Sequence, residues 1–137
     1  MTIQNDVVLW DNGIDKFCLY SVPNEQQYKY YTDSVPCLTV GIAYENSHYK
    51  GCDTFTLFDH FYTSKVREIE DVYGCLNGTF RIDDNGIDTD GYVEFVMKNG
   101  RVSVKGRLGA SFTACSLTFE FEADQTMVGI LLNALAI

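Results

Sequence analysis

The chain has 137 residues, enough for one domain (1–137) that buries about two-thirds of its unfolded surface. Hydrophobic content of 46% with 14% aromatics excludes a disordered chain, because there is ample apolar area to offset the entropy of ordering. The formal net charge of −9 works against nucleic acid and anionic membranes and attracts a basic partner at long range, though it also serves plain solubility.

The first predicted elements are short strands over 7–10 and 17–22, around the turn Asp11-Asn12-Gly13. Residues 23–36, bracketed by Pro23 and Pro36, carry Tyr28, Tyr30 and Tyr31 and have the weakest periodicity. Residues 37–44 read as a buried strand with Leu38, Val40 and Ile42 on one face, and 54–58 as another after a turn at Gly51.

A helix is expected at about 60–76, because Tyr62, Val66, Ile69, Tyr73 and Leu76 recur at steps of four and three. Lys65, Arg67, Glu68, Glu70 and Asp71 occupy its other faces. Asn77-Gly78 supplies the stop, since both residues tolerate left-handed backbone. A strand over 79–82 and a polar loop over 83–91 follow. Strands over 92–98 and 101–108 flank Asn99-Gly100, the dipeptide that suits a type I′ hairpin turn. Lys98, Arg101, Lys105 and Arg107 on that hairpin could serve as gatekeepers of an exposed edge.

The last strand is expected over 112–122, where Leu117, Phe119 and Phe121 alternate with Thr118, Glu120 and Glu122. At Asp124 the period changes. Its carboxylate suits a helix N-cap, and Val128, Leu131, Leu132 and Leu135 follow at helical spacing over 125–136. The expected fold is α+β, a mostly antiparallel twisted sheet with two helices packed against it.

Charge is uneven along the chain. Residues 1–94 hold sixteen acids and six bases, residues 95–116 four bases and no acid, and residues 117–124 three acids. The start, Met1-Thr2-Ile3-Gln4, lacks the charged and apolar regions of a signal peptide, and 127–137 is too short an apolar stretch to span a bilayer. Five cysteines with no Cys-x-x-Cys point to reduced thiols, most of them small core hydrophobes, in a cytoplasmic protein.

The residues offer candidates for three kinds of site. For catalysis there are only His48 and His60, outside any His-Glu-x-x-His array, and neither a Gly-x-Ser-x-Gly elbow nor a phosphate loop occurs. His60 beside Asp59 could act as a base in a small hydrolase, but the pair reads more simply as helix capping, so no enzyme is expected. For a metal, residues 83–91 are rich in hard oxygen ligands. Placing Gly91 at the sixth position of a calcium loop, however, puts Gly86 first and Met97 twelfth, where Asp and Glu are needed. Neither metal nor cofactor is expected; a small ligand- or calcium-binding module remains the alternative reading. For protein binding, Asp83, Asp84, Asp88, Asp90 and Glu94 form an acidic stretch beside Glu68 and Asp71 of the first helix, with Tyr28, Tyr30 and Tyr31 as aromatic anchors.

The pattern Val102-x-Val104-x-Gly106-x-Leu108, then Leu117-x-Phe119-Glu120-Phe121-x-x-Asp124-Gln125-Thr126-x-Val128-x-x-Leu131-Leu132-x-x-Leu135, resembles the C-terminal half of small bacterial immunity proteins. These are the wall-associated toxin's immunity family and related contact-dependent growth inhibition immunity proteins. Leu76-Asn77-Gly78 extends the resemblance to about residues 60–137. It implies a cytoplasmic antitoxin that binds and blocks the C-terminal domain of a polymorphic toxin. Many such domains are nucleases, which must be basic to hold phosphates. Asp124, Gln125 and Thr126 would then be structural.

Overall fold

The computed structural model describes residues 5–22, 37–84, 89–109 and 115–135, with residues 37, 38, 59 and 60 described by their backbone. Tyr28, Tyr30, Tyr31 and Asp88, and the stretch 112–114 expected to open the last strand, lie outside the described residues.

Strands β1 (Val7–Asp11), β2 (Lys16–Tyr20), β3 (Cys37–Glu45) and β4 (Lys50–Phe58) form one antiparallel sheet in chain order. The β1–β2 turn is built from its own side chains: Asp11 Oδ1 accepts from the Gly13 amide, and Asn12 Oδ1 accepts from Ile14 and Asp15. Strands β3 and β4 pair over all nine residues of each, around a turn in which Asn46 Oδ1 accepts from the His48 and Tyr49 amides. That turn, rather than Gly51, reverses the chain. Residues 50–53 lack apolar alternation but are carried into β4 by continuous pairing with β3.

Helix α1 (Asp59–Cys75) leads to the second sheet: β5 (Asn77–Asp83), β6 (Tyr92–Lys98), β7 (Arg101–Leu108) and β8 (Leu117–Asp124), again antiparallel in chain order. The fold is α+β as expected, but its strands form two sheets. The inserted helix separates β4 from β5, so those two do not join into one ladder. Helix α2 (Gln125–Leu135) ends the described chain.

The sheets meet through aromatic rings. Phe17 of β2 lies 6.3 Å from Phe95, 5.9 Å from Phe119 and 5.3 Å from Phe121 between ring centroids. Tyr44 of β3 stacks on Phe119 at 4.7 Å, and Phe80 stacks on Phe95 at 4.5 Å. α1 packs on edge strands β4 and β5, α2 on edge strands β1 and β8, and the helices touch each other. Ile69, Val72, Met127, Val128, Leu131 and Leu135 thereby join a core shared with both sheets. The Tyr62 hydroxyl donates to the Leu135 carbonyl and ties the end of α2 to α1.

Several expectations are corrected. In the last turns of α1 Val72, rather than Tyr73, is the buried residue; Tyr73 is 38% exposed and turns toward α2, where a Cβ added at Gly129 would lie 2.9 Å from its hydroxyl. The left-handed residue that ends α1 is Leu76 (φ 59), not Asn77. Such a backbone is costly for leucine. Tertiary bonds hold it: the Leu76 carbonyl accepts from Gly100, and Asn77 Oδ1 accepts from the Asn99 amide while its Nδ2 donates to the Cys75 carbonyl. The Asn99-Gly100 turn (φ 52 and 82) has the positive angles expected of it. Its strands β6 and β7 are interior, so Lys98, Arg101, Lys105 and Arg107 guard no edge. The four cysteines whose side chains are described are not core residues. Cys52, Cys75 and Cys115 are exposed and Cys18 half-buried, because alternation turns Cys18 and Cys52 outward opposite Val8 and Ala43.

α2 starts at the expected signal, with Asp124 Oδ1 accepting from the Thr126 amide at 2.9 Å. Asp124→Ala should lower stability by about 0.5–2 kcal/mol. Leu131→Ala, at a fully buried position, should lower it by about 2–5 kcal/mol. Denaturant midpoints check both. A larger loss at Asp124 than at Leu131 would contradict this packing.

Candidate protein-binding site

Register converts the charges of β5–β8 into rows on the outer face of the second sheet. Arg81, Glu94, Lys105 and Glu120 lie opposite one another across all four strands, alternating in sign. Lys105 reaches Glu94 at 3.4 Å, and Arg107 reaches Asp90 at 3.3 Å. Arg101 pairs in register with Asp124, and the Ser103 hydroxyl donates to Glu122. The Arg81 guanidinium lies 4.0 Å from the Tyr92 ring centroid. Each such surface pair contributes little stability, but together they leave this face electrically balanced.

The acidic residues expected to bind a partner fall in four places among the described residues. Asp84 is a tie, its Oδ1 accepting from the Thr56 amide on the edge of β4 at 2.7 Å. Asp90 and Glu94 pair with bases of the second sheet, as above. Glu68 and Asp83 are brought together: with Leu57, Phe61, Ser64 and Lys65 they line a groove of about 320 Å³ between α1 and the ends of β4 and β5. Asp71 is exposed further along α1. His48 is exposed on the β3–β4 turn.

Two residues not singled out by the sequence matter here. Phe61 is 53% exposed beside that groove, while the adjacent Tyr62 is buried. Its signal was available, because one step along a helix moves a side chain about 100° off the 62–66–69 face. Asp53 on β4 is a hub. Its Oδ2 accepts from the Thr89 hydroxyl at 2.7 Å and the Gly109 amide at 2.8 Å, and its Oδ1 from the Thr54 amide. One carboxylate thus ties the first sheet to two loops of the second. A Cβ at Gly91 would lie 2.6 Å from Asp53 Oδ2 and 2.7 Å from the Arg107 carbonyl, so glycine leaves room for the tie. No hydrophobic period marks Asp53, and its partners are 36 and 56 residues away.

A second concavity of about 440 Å³ lies on the outer face of the first sheet, floored by Val8, Cys18, Ala43 and Cys52. Burial pushes the Cys18 thiol above its ordinary value, which favours the protonated, less nucleophilic form. Among the described residues no group of three His, Cys, Asp or Glu side chains is placed to hold a metal ion, and no helix is long and apolar enough to cross a membrane.

The chain matches no protein-family model, no curated protein and no solved structure.

Removing the Asp53 carboxylate strands one buried hydroxyl and the loop amide of Gly109. Asp53→Ala should therefore cost on the order of 2 kcal/mol or more, measured by denaturation, with Asp53→Asn costing less because its carbonyl still accepts. Equal stability of wild type and Asp53→Ala would remove the hub. A second expectation concerns alkali. Burial, and then the Asp15 carboxylate that accepts from the Tyr44 hydroxyl, raise Tyr44 above the ordinary tyrosine value of 10.0. The folded chain holds this proton where the unfolded chain releases it, so stability should fall as pH rises past about 10 toward the folded value. Tyr44→Phe should flatten that part of the stability profile; an unchanged slope would contradict the assignment.

Proposed function

We propose that this chain is an immunity protein of a bacterial polymorphic-toxin system of the contact-dependent growth inhibition kind. In the cytoplasm it binds the toxin's C-terminal domain, a basic nuclease, and blocks it without chemistry of its own. The observation that carries the reading is where the charge lies. Strands β5–β8 carry five bases and five acids, so the whole net charge of −9 falls on the rest of the chain: the first sheet with its loops, α1 and the 84–91 loop. Helix α1 alone carries four acids and two bases.

A nuclease presents cations to hold phosphate. A polyanionic protein face competes for the same cations and is steered to them, which raises the association rate more than the intrinsic affinity. The resemblance of residues 60–137 to immunity proteins supports the same reading.

The test uses the C-terminal domain of the toxin encoded beside this gene. Co-production with this chain should restore growth, and the purified pair should associate more slowly as salt rises, because the screening length falls from about 30 Å at 0.01 M to about 8 Å at physiological ionic strength. Reversing Glu68, Glu70 and Asp71 of α1 to lysine should slow association roughly tenfold or more at low salt. Reversing Glu120 and Glu122 on the balanced face should change it far less. Failure to bind at any salt concentration would overturn the assignment.

A further inference from the structure

On the outer face of the first sheet, strand register sets Asp11 of β1, Lys16 of β2, Glu45 of β3 and Lys50 of β4 side by side in one row. The signs run minus, plus, minus, plus across all four strands. A row of this kind is complementary, position by position, to a reversed copy of itself. Within the chain Lys16 reaches Glu45 at 3.9 Å, whereas among the described residues neither Asp11 nor Lys50 is in an ion pair. The two rows beside it carry no charge. The nearer is Val8, Cys18, Ala43 and Cys52, the floor of the concavity of about 440 Å³, and the next is Tyr20, Gly41 and Thr54. A Cβ at Gly41 would overlap the Tyr20 ring, so glycine lets that ring lie close over β3. Val8 is 50% exposed, and Ile14 and Tyr49, on the two turns beside the charged row, are 71% and 66% exposed. Apolar surface open to water beside a self-complementary row suits an interface between identical faces.

We propose that two copies of this chain pair through the outer faces of their first sheets, about a two-fold axis that lies in the interface and runs along the strands above the gap between β2 and β3. That axis keeps each row opposite the same row and reverses its direction. Asp11 then faces Lys50 of the second copy, and Lys16 faces Glu45. In the uncharged row Val8 faces Cys52 and Cys18 faces Ala43, while the turn bearing Ile14 meets the turn bearing Tyr49. The net charge of −9 opposes self-association wherever acids are in excess, but this row sums to zero. The second sheet also alternates in sign across its strands, yet there Glu94 and Lys105 already pair with each other, and Arg81 and Arg107 with Asp83 and Asp90. A face four strands wide is about 15–20 Å across, at the small end of specific interfaces, so the dimer is a weak one. The inference is independent of the toxin-binding reading.

Sedimentation equilibrium of the full chain, from about 10 µM to about 1 mM as suits a weak interface, should show monomer giving way to dimer. Over the same range the amides of Cys18, Ala43 and Cys52 should shift, and those of Glu94 and Lys105 should stay in place. Asp11→Lys and Lys50→Glu should each weaken the dimer roughly tenfold, because each sets like charges against one another at two symmetric positions. An equimolar mixture of these two variants should dimerise as the wild type does, since every facing pair is then again of opposite sign. Lys16→Glu mixed with Glu45→Lys follows the same logic at the inner positions and leaves Asp11, which accepts from the Gly13 amide, untouched. Unchanged core amides show that each variant is folded. A monomer at every concentration, association that moves the amides of the second sheet instead, or variants that do not recover on mixing would each overturn the proposal.

Discussion

The structure depends on one contact, the insertion of Phe17 between the phenylalanines of the second sheet. Phe17 is fully buried, within about 5–6 Å of three rings that come from β6 and β8, and Tyr44 stacks on two of the same rings from the neighbouring strand. Burial of these rings supplies the main driving force, and their edge and stacked geometries select one relative placement of the sheets. Because side chains alternate along a strand, fixing Phe17 inward turns Cys18 outward, just as fixing Phe95, Phe119 and Phe121 inward turns Glu94, Glu120 and Glu122 to solvent. A slip of one residue in any of these strands would bury charge. The aromatic contact therefore also sets the pattern of charge on the outer faces.

That pattern is asymmetric. The second sheet cancels its own charge over its rows taken together, most completely in the alternation Arg81, Glu94, Lys105, Glu120. Cross-strand pairs of opposite sign are the sheet's counterpart of helical ion pairs, and they leave no strong field. The remaining acids outnumber the bases on the first sheet with its loops, on the 84–91 loop and on α1. An excess field of this kind raises the rate of encounter with a cationic surface and has no evident use in folding, since self-repulsion opposes compaction. This partition favours a partner-binding role away from the balanced sheet, on a side that includes α1.

Much of the architecture was legible in the residues. Asn99-Gly100, the change of period at Asp124 and the alternation of 117–122 correspond to a hairpin turn, a capped helix and a strand at those places. What could not be read was set by distant contacts. Leu76 adopts left-handed backbone because Gly100 and Asn99 bind its neighbourhood across the β6–β7 turn, a choice that local preference assigns to Asn77. Residues 50–53 become strand because β3 pairs with them, and Asp53 gains its role from loops far along the chain. The acidic residues were visible as a composition, but which of them stand together was not. Only the fold puts Glu68 and Asp83 in one groove, commits Asp84 to Thr56 and balances Glu94 against Lys105.

The central claim is that the partner meets the α1 side and leaves the balanced sheet free. Carboxyl footprinting of the complex with the neighbouring toxin domain tests it most directly, by comparing the labelling of each acid in the free and bound protein. The expected result is protection of Glu68, Glu70 and Asp71 on α1 and of Asp83, with Glu120 and Glu122 on β8 labelled as in the free protein. Protection of Glu120 and Glu122 with α1 unchanged would contradict it.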